Sequence, residues 1–288
     1  MDIVVTGATG FIAGHLIPRL LGAGHRVYAA GHDPARLARL QGAEPVLVDL
    51  RAQEIAPALP PRASAVIHLA QANVPVPERA SELFEVNTGS TARLLDYARR
   101  AGVERFVLAS SGSVYGGGDR PWREDDYPRG DDLYAATKLA SERLVQAYQG
   151  EFGTTILRLF APYGPGQQRR LVPRLIQRVR DGQPVTLQEG RGPRFNPIFV
   201  THVVDVIEQA LAAEGHHLVN LGGDDILSVR AMAETIGRML GRTPQFQDVP
   251  GRLAGDFVGD IGRLRRTFRL PDRLTSFEQG VQATIRGD

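Results

Sequence analysis

Residues 1–16 read MDIVVTGATGFIAGHL, and this stretch decides the fold. Ile3–Thr6 is a short β-branched run, as expected of a strand covered on both faces. Gly7 and Gly10 follow at GxxG spacing, with Ala13 where a third glycine often stands. A helical pattern then runs over Phe11–Ala23. Such a turn brings backbone N–H groups against a pyrophosphate at a helix N-terminus, and a side chain at Gly7 or Gly10 would block the approach. Gly7, Thr9, Gly10, Phe11 and Ile12 are therefore candidate dinucleotide contacts. Pro18 falls inside the helix pattern, where a kink or a local 3₁₀ turn is expected.

Working outward, the same alternation repeats. Arg26–Ala30, Pro45–Val48, Ala65–Leu69, Arg105–Ser110 and Thr155–Leu159 read as strands. Helix patterns lie near Pro34–Leu40, Glu82–Arg100 and Leu133–Phe152. Strands alternating with helices imply parallel strands and right-handed crossovers, hence an α/β, doubly wound parallel sheet of Rossmann type. After Tyr163 the texture changes. GPGQQRR is a loop, Leu171–Arg180 a helix, and Gly190–Pro197 a second Gly/Pro/Arg-rich loop. Ile198–Val200, Val204–Ala213 and Leu218–Leu221 return to sheet-and-helix units, and residues 223–288 read as mostly helical. The expected division is a dinucleotide-binding domain over 1–165, rejoined by 196–222. A smaller, mostly helical substrate-binding lobe takes 166–195 and 223–288.

Composition narrows the function. The chain has 34 positive and 32 negative groups, a formal net charge of +2, and no block of like charges. That gives little support to a nucleic-acid or membrane surface. No run reaches the ~20 apolar residues of a membrane helix, and no basic, apolar leader opens the sequence, so the cytoplasm is expected. There are no cysteines, which excludes disulfides, thiolate catalysis and Cys-ligated metals. No metal centre is expected. The chain also holds a single lysine, Lys138, every other positive residue being arginine. A chain so biased would carry arginine at 138 too if any cation served there.

Lys138 closes the pattern Tyr134-Ala-Ala-Thr-Lys138, which puts both side chains on one helix face. A tyrosine near its reference pKa of about 10 is a poor base at neutral pH. An ammonium one turn away favours the phenolate and moves it toward acid–base work. Upstream, a strand ends in VLASSGSVYG, whose hydroxyls lie at the strand's carboxyl end and can hold an alcohol or carbonyl oxygen. About 20 residues beyond the glycine turn, an acid would ordinarily bind the ribose 2′-hydroxyl. Gly31 stands there instead, followed by His32 and Asp33, with Arg36 nearby. The cofactor is NAD or NADP, with His32 and Arg36 leaning toward the 2′-phosphate of NADP.

Together these motifs resemble the extended short-chain dehydrogenase/reductases of the NAD-dependent epimerase/dehydratase type. The resemblance is carried by TGATGFIAGHL, the Asp49-Leu50 pair, HLAQANVP at 68–75, Asn87, FVLASSGSVYG, YAATK, LRLFAPYGPGQ at 157–167 and LVNLGGDDILSVRAMAETIGRMLG at 218–241. It implies that Tyr134 is the acid/base, that Lys138 binds the nicotinamide ribose and tunes Tyr134, and that Ser111 bonds the reacting oxygen. It further implies that Asp49 and Leu50 flank the adenine and that Leu69, Ala70, Gln71 and Pro162 line the cofactor. Ser113, Gln167 and Arg194 become candidate substrate contacts, the last two toward a nucleotide diphosphate.

The departures are informative as well. Dehydratases of this kind place Asp-Glu after the catalytic hydroxyl residue, whereas Gly112 and Ser113 follow Ser111 here. The usual FNVYGP reads Phe160-Ala-Pro-Tyr-Gly-Pro165, and the usual YVDDV reads Phe199-Val-Thr-His-Val203. The expected activity is a nucleotide-sugar 4-epimerase working through a 4-keto intermediate. The alternative is an NADP(H)-dependent reductase of a keto-sugar or another small carbonyl compound. A non-catalytic dinucleotide sensor ranks below both, because Tyr134 and Lys138 are both present. A homodimer is expected through the helices at Glu82–Arg100 and Leu133–Phe152, using apolar positions such as Leu94, Leu95, Leu139 and Leu144.

Overall fold

The first strand, β1 (Asp2–Thr6), lies in the interior of the sheet it was expected to found, beside the central strand. The computed structural model describes residues 1–287 apart from Asn73, Arg252 and Ala254. Asn73 belongs to the HLAQANVP stretch and so lies outside the described residues. β2 (Arg26–Gly31), β3 (Glu44–Leu47), β4 (Ala65–His68), β5 (Arg105–Ser111), β6 (Gly153–Leu159) and His216–Leu221 complete seven strands. Their order is His216–Leu221, β6, β5, β4, β1, β2, β3. Pairing is parallel from β5 through β4, β1 and β2 to β3, with Ile3 opposite Val27 on one side and Ala65 on the other. Strand order reverses direction between β1 and β4. In an open α/β sheet that reversal opens a crevice at the carboxyl ends of the strands.

Among the described residues the α-helices are α1 (Phe11–Gly22), α2 (Pro34–Leu37), α3 (Ala80–Leu83), α4 (Ser90–Ala101), α5 (Leu133–Ala147), α6 (Leu171–Arg180), α7 (Val200–Ala212), α8 (Val229–Leu240), α9 (Gly262–Thr267) and α10 (Phe277–Arg286). α1 runs through Pro18 without a 3₁₀ turn. Pro18 and Gly14, the residue whose carbonyl loses its partner, both face solvent, where water replaces the missing bond. The stretch expected as one helix at Glu82–Arg100 is α3 and α4 joined by a π-helical turn, Phe84–Gly89. One extra residue per turn leaves the apolar periodicity nearly unchanged, which is why the sequence does not reveal it. α5 stops at Ala147, short of Phe152, as the chain turns through Gly150 toward β6. Beyond residue 223 helix is interrupted more than its texture suggests, by the short strands Leu227–Ser228 and Phe246–Asp248 and by coil rich in Gly and Pro.

The chain divides into two units. The first comprises Met1–Val114, Pro128–Arg158 and Val204–Val219; the second comprises Tyr115–Tyr127, Leu159–Val203 and Asn220–Asp288. Of the stretches expected for the dinucleotide-binding domain, Tyr115–Tyr127 and residues 159–165, 196–203 and 220–222 group with the second unit. One core of the first unit packs Val4, Val66, Phe106 and Ile156 of the sheet against Leu94, Leu95, Tyr97 and Ala98 of α4. The second unit has its own core, where Val172, Leu175 and Ile176 of α6 meet Met232, Ala233 and Ile236 of α8 and Phe277 and Val281 of α10. Among the described residues no helix is long and apolar enough to cross a membrane.

Candidate active site

The glycine turn is built for close approach. Gly7 has φ of +66°, and a Cβ placed on it would stand 2.7 Å from the Ala70 nitrogen and 2.8 Å from the Ala70 Cα. Only glycine accommodates that conformation and that neighbour together. Gly10 then caps α1 with no side chain bonded to the helix end. Asp132 by contrast caps α5, accepting the Ala135 N–H at 2.7 Å. The start of α1 therefore presents backbone donors and the positive end of its dipole at the strand-order reversal. These features fit the pyrophosphate of a dinucleotide, and Thr9, Gly10, Phe11 and Ile12 form the turn and the start of α1.

Around this turn the structure gives several candidates different tasks. The Arg36 guanidinium donates through Nη2 to the Thr9 carbonyl, tying α2 to the glycine turn. His32 is exposed and adds a favourable charge interaction to Asp49. Asp49 is held down at about 2, first by the Arg51 guanidinium (Nη2 to Oδ2, 2.7 Å) and then by the Arg51 N–H. Leu50 is 8% exposed and packs in the core, while its carbonyl accepts Arg93. Leu69 and Ala70 follow β4 directly at the reversal point. Pro162 starts a two-residue strand against Ile198–Phe199, and its carbonyl accepts the Gln167 side chain at 2.7 Å.

The catalytic candidates converge on β5 and α5. Lys138 is 1% exposed, and its Nζ donates to the Ala109 carbonyl two residues before Ser111. Desolvation pulls its ammonium down to about 8, with Glu142 partly opposing the shift. Ser111 ends β5, and its Oγ accepts from the Ser113 N–H at 3.1 Å and the Ser113 hydroxyl at 2.9 Å. A hydroxyl that already accepts twice has its own proton to direct at a substrate oxygen. Tyr134 opens α5, and its hydroxyl donates to Gln71 Oε1 at 2.8 Å.

In the second unit, Gln167 Oε1 is buried and without a partner among the described residues. Asp256 accepts from the Arg194 N–H and the Arg194 Nε, both at 2.7 Å, and from Arg191 at 3.0 Å. Burial opposes its ionisation, but these donors outweigh burial and hold it below the usual carboxylate range. Arg194 is thereby oriented with 46% of its side chain exposed.

Sequence reasoning missed the groups beneath the catalytic residues. Glu142 lies on the same stripe of α5 as Tyr134 and Lys138. It binds Arg158 of β6, Nη2 to Oε2 at 2.6 Å, and accepts the Ser110 hydroxyl. The i, i+4, i+8 spacing of 134, 138 and 142 was the available signal. His68 is buried, bonded to Thr6 at 2.7 Å and Thr91 at 3.1 Å, and pushed down to about 3 by desolvation and then by Lys138. Asn87, in the π turn, bonds both backbone groups of Ala72 and also Thr137 of α5. The resemblance singled out Asn87 but gave it no role, and the pattern of 80–101 does not supply one.

Comparison with known proteins agrees with this architecture. Residues 3–222 match the profile of the NAD dependent epimerase/dehydratase family. The structure of MoeE5 in complex with UDP-glucuronic acid and NAD is 30% identical, with a TM-score of 0.88 over 100% of this chain and 98% of that one. A probable UDP-glucuronate 4-epimerase of Rhizobium meliloti is 29% identical over 98% of this chain and 93% of its own. The dTDP-4-dehydro-6-deoxy-D-allose reductase of Streptomyces bikiniensis is 26% identical over 88% and 85%. The chain belongs to the NAD dependent epimerase/dehydratase family, as an enzyme of the extended short-chain dehydrogenase/reductase type.

Proposed function

We propose that this protein is a nucleotide-sugar 4-epimerase acting on a UDP-linked hexose or hexuronic acid with NAD. The observation that carries the reading is the burial of the chain's one lysine one turn from Tyr134, with its Nζ on the strand that ends in Ser111. The likeness to MoeE5, whose structure holds UDP-glucuronic acid and NAD, supports the substrate class and NAD. NAD is favoured over NADP by Arg36 too. Its Nη2 is engaged by the Thr9 carbonyl, which gives the guanidinium a task within the turn without a 2′-phosphate.

NAD, which the glycine turn at Gly7 and Gly10 and the residues Leu69 and Ala70 would hold, would supply reversible hydride acceptance for C4 of the sugar. The protein moves the proton. Tyr134, as phenolate, accepts the 4-hydroxyl proton and later gives it back. Lys138, charged at pH 7, favours the phenolate from one turn along α5. Ser111 donates to the 4-oxygen, its own lone pairs being occupied by Ser113. Gln167 and Arg194 are the contacts proposed for the nucleotide half. Gly112 and Ser113 supply no carboxyl pair for water loss.

Incubation with UDP-glucuronic acid or UDP-glucose, followed by NMR of the sugar, tests the reading by the appearance of the C4 epimer without net consumption of dinucleotide. Tyr134→Phe is expected to lower turnover by about 10²-fold or more, while calorimetry shows NAD binding intact. Dependence on added NADPH with net oxidation would replace it with the reductase reading, and full turnover in Tyr134→Phe would overturn the mechanism.

We also propose a homodimer through the outward faces of the α3–α4 stretch and α5. Leu94 and Leu95, expected at that interface, are fully buried in the core of the first unit and cannot serve. Phe84 and Leu133, 54% and 39% exposed, take their place. Light scattering that reports a monomer at micromolar concentration would exclude it.

A further inference from the structure

The residue facing the Tyr134 hydroxyl is Gln71, and the chain holds Gln71 from both sides. Ala70 lies against Gly7, and its N–H points at Thr6 Oγ1 at 3.4 Å. Ala72 is clasped by the buried Asn87, which accepts its N–H at 2.8 Å and donates to its carbonyl at 3.2 Å. The same Asn87 donates to Thr137 of α5 at 3.0 Å, so the loop after β4 is tied to the helix that carries Tyr134. With its neighbours fixed, the Gln71 side chain spans the remaining gap, and Tyr134 donates to its Oε1 at 2.8 Å.

A carboxamide carries an acceptor and a donor on one planar group. A neutral phenol needs the acceptor; a phenolate, which can only accept, needs the donor. Turning the amide over exchanges one for the other without moving the backbone. We propose that Gln71 is a further residue of the catalytic centre, partnering the Tyr134 hydroxyl in both protonation states by turning over its carboxamide. Oε1 accepts from the phenol, and Nε2 donates to the phenolate once the proton has left. This rests on the reading of Tyr134 as the acid/base.

Among the described residues, the charged groups on α5 and the turns named here have partners of their own, as do Arg129 and Asp131, which pair with each other. Lys138 lies one turn along with its Nζ on Ala109, and Asp132 is taken as the cap of α5. Glu142 is bound to Arg158, and Glu82 and Glu85 on the neighbouring turns pair with Arg79 and Arg93. His68, below the Gln71 loop, is buried and neutral. Ser111 and Ser113 at the end of β5 carry no charge.

The test is the sign of one titration. Protein labelled with ¹³Cζ-tyrosine is titrated by NMR without ligands, and the Tyr134 signal is identified by its loss in Tyr134→Phe. A hydrogen bond to a charged group is worth more than one to a neutral group, so a partner serving both states favours the phenolate overall. Gln71→Met, which keeps the length of the side chain and removes both functions, is then expected to raise the Tyr134 midpoint by about 0.5 pH unit or more. The acid limb of the kcat profile should rise with it. Gln71→Ala must move the midpoint in the same direction. A fixed acceptor stabilises only the neutral phenol, so a midpoint that falls, or does not move, overturns the proposal. Full turnover in Tyr134→Phe would sink the acid/base reading, while the titration would still judge Gln71.

Discussion

Lys138→Met is expected to make the protein more stable and nearly inactive. The ammonium sits at 1% exposure with its Nζ on the Ala109 carbonyl. Desolvation brings it down from the usual 10.5 to about 8. At about 1.4 kcal/mol per pH unit, holding that proton costs the folded protein about 3 kcal/mol at pH 7. Methionine keeps the stem and removes the charge, but it strands the Ala109 carbonyl, a loss of about 1 kcal/mol. The net gain is about 2 kcal/mol, or roughly 4–8 °C in Tm. The sign follows from proton linkage. Between pH 8 and 10.5 the unfolded chain binds the proton and the folded chain does not, so wild-type stability rises with pH in that window. The advantage of the variant is therefore full below pH 8 and gone above about 10.5. Urea denaturation at pH 7 and at pH 10 measures both ends, and turnover at pH 7 should fall at least tenfold as Tyr134 loses its cation. A variant less stable than wild type at pH 7, or a gap indifferent to pH, would refute the account of Lys138 as a costly buried charge.

Other changes probe other parts. Glu142→Gln leaves Arg158, 3% exposed, without its counter-ion and should cost about 3–5 kcal/mol; in denaturant titrations the double change Glu142→Leu/Arg158→Leu should cost less than the sum of the two single changes. Gly7→Ala forces an alanine to φ of +66° and its Cβ to 2.7 Å from the Ala70 nitrogen. A loss of at least about 2 kcal/mol is expected, with weakened NAD binding by calorimetry. Ala161 has φ of +44°, so Ala161→Gly should raise stability by about 0.5 kcal/mol, the strain relieved exceeding the entropy cost of glycine. A lower Tm would show that the strain is not felt.

The sheet was legible because each strand carries its own local signal. β1, β2 and β4 are apolar runs bounded by turns, and the glycine turn fixed where the chain starts its doubly wound path. Tyr134, Lys138 and Ser111 were legible for the same reason, because their spacing along one helix and at one strand end is local. The Tyr134–Gln71 bond was not, since 63 residues separate its partners and an exposed glutamine in a loop has no pattern. The Glu142–Arg158 pair likewise joins α5 to β6 and appears only when both are folded. Leu94 and Leu95 misled because a helix face turned inward and one turned toward a partner share one periodicity. The bond from Arg36 to the Thr9 carbonyl was not legible either, because a cation near the ribose end of the turn can serve the turn as well as a phosphate.

The burial of the only lysine also bears on how this protein meets chemical reagents. Amine-directed acylation, methylation or cross-linking finds one side-chain amine in this chain, besides the α-amine of Met1, and the fold has placed that side chain out of reach of solvent. The other positive side chains are arginines, which ignore such reagents at neutral pH. Modification of Lys138 therefore requires α5 to part from β5. The rate at which the side-chain amine is consumed becomes a clock for local opening at α5, readable by mass on the fragment that carries Lys138, apart from the exposed α-amine of Met1.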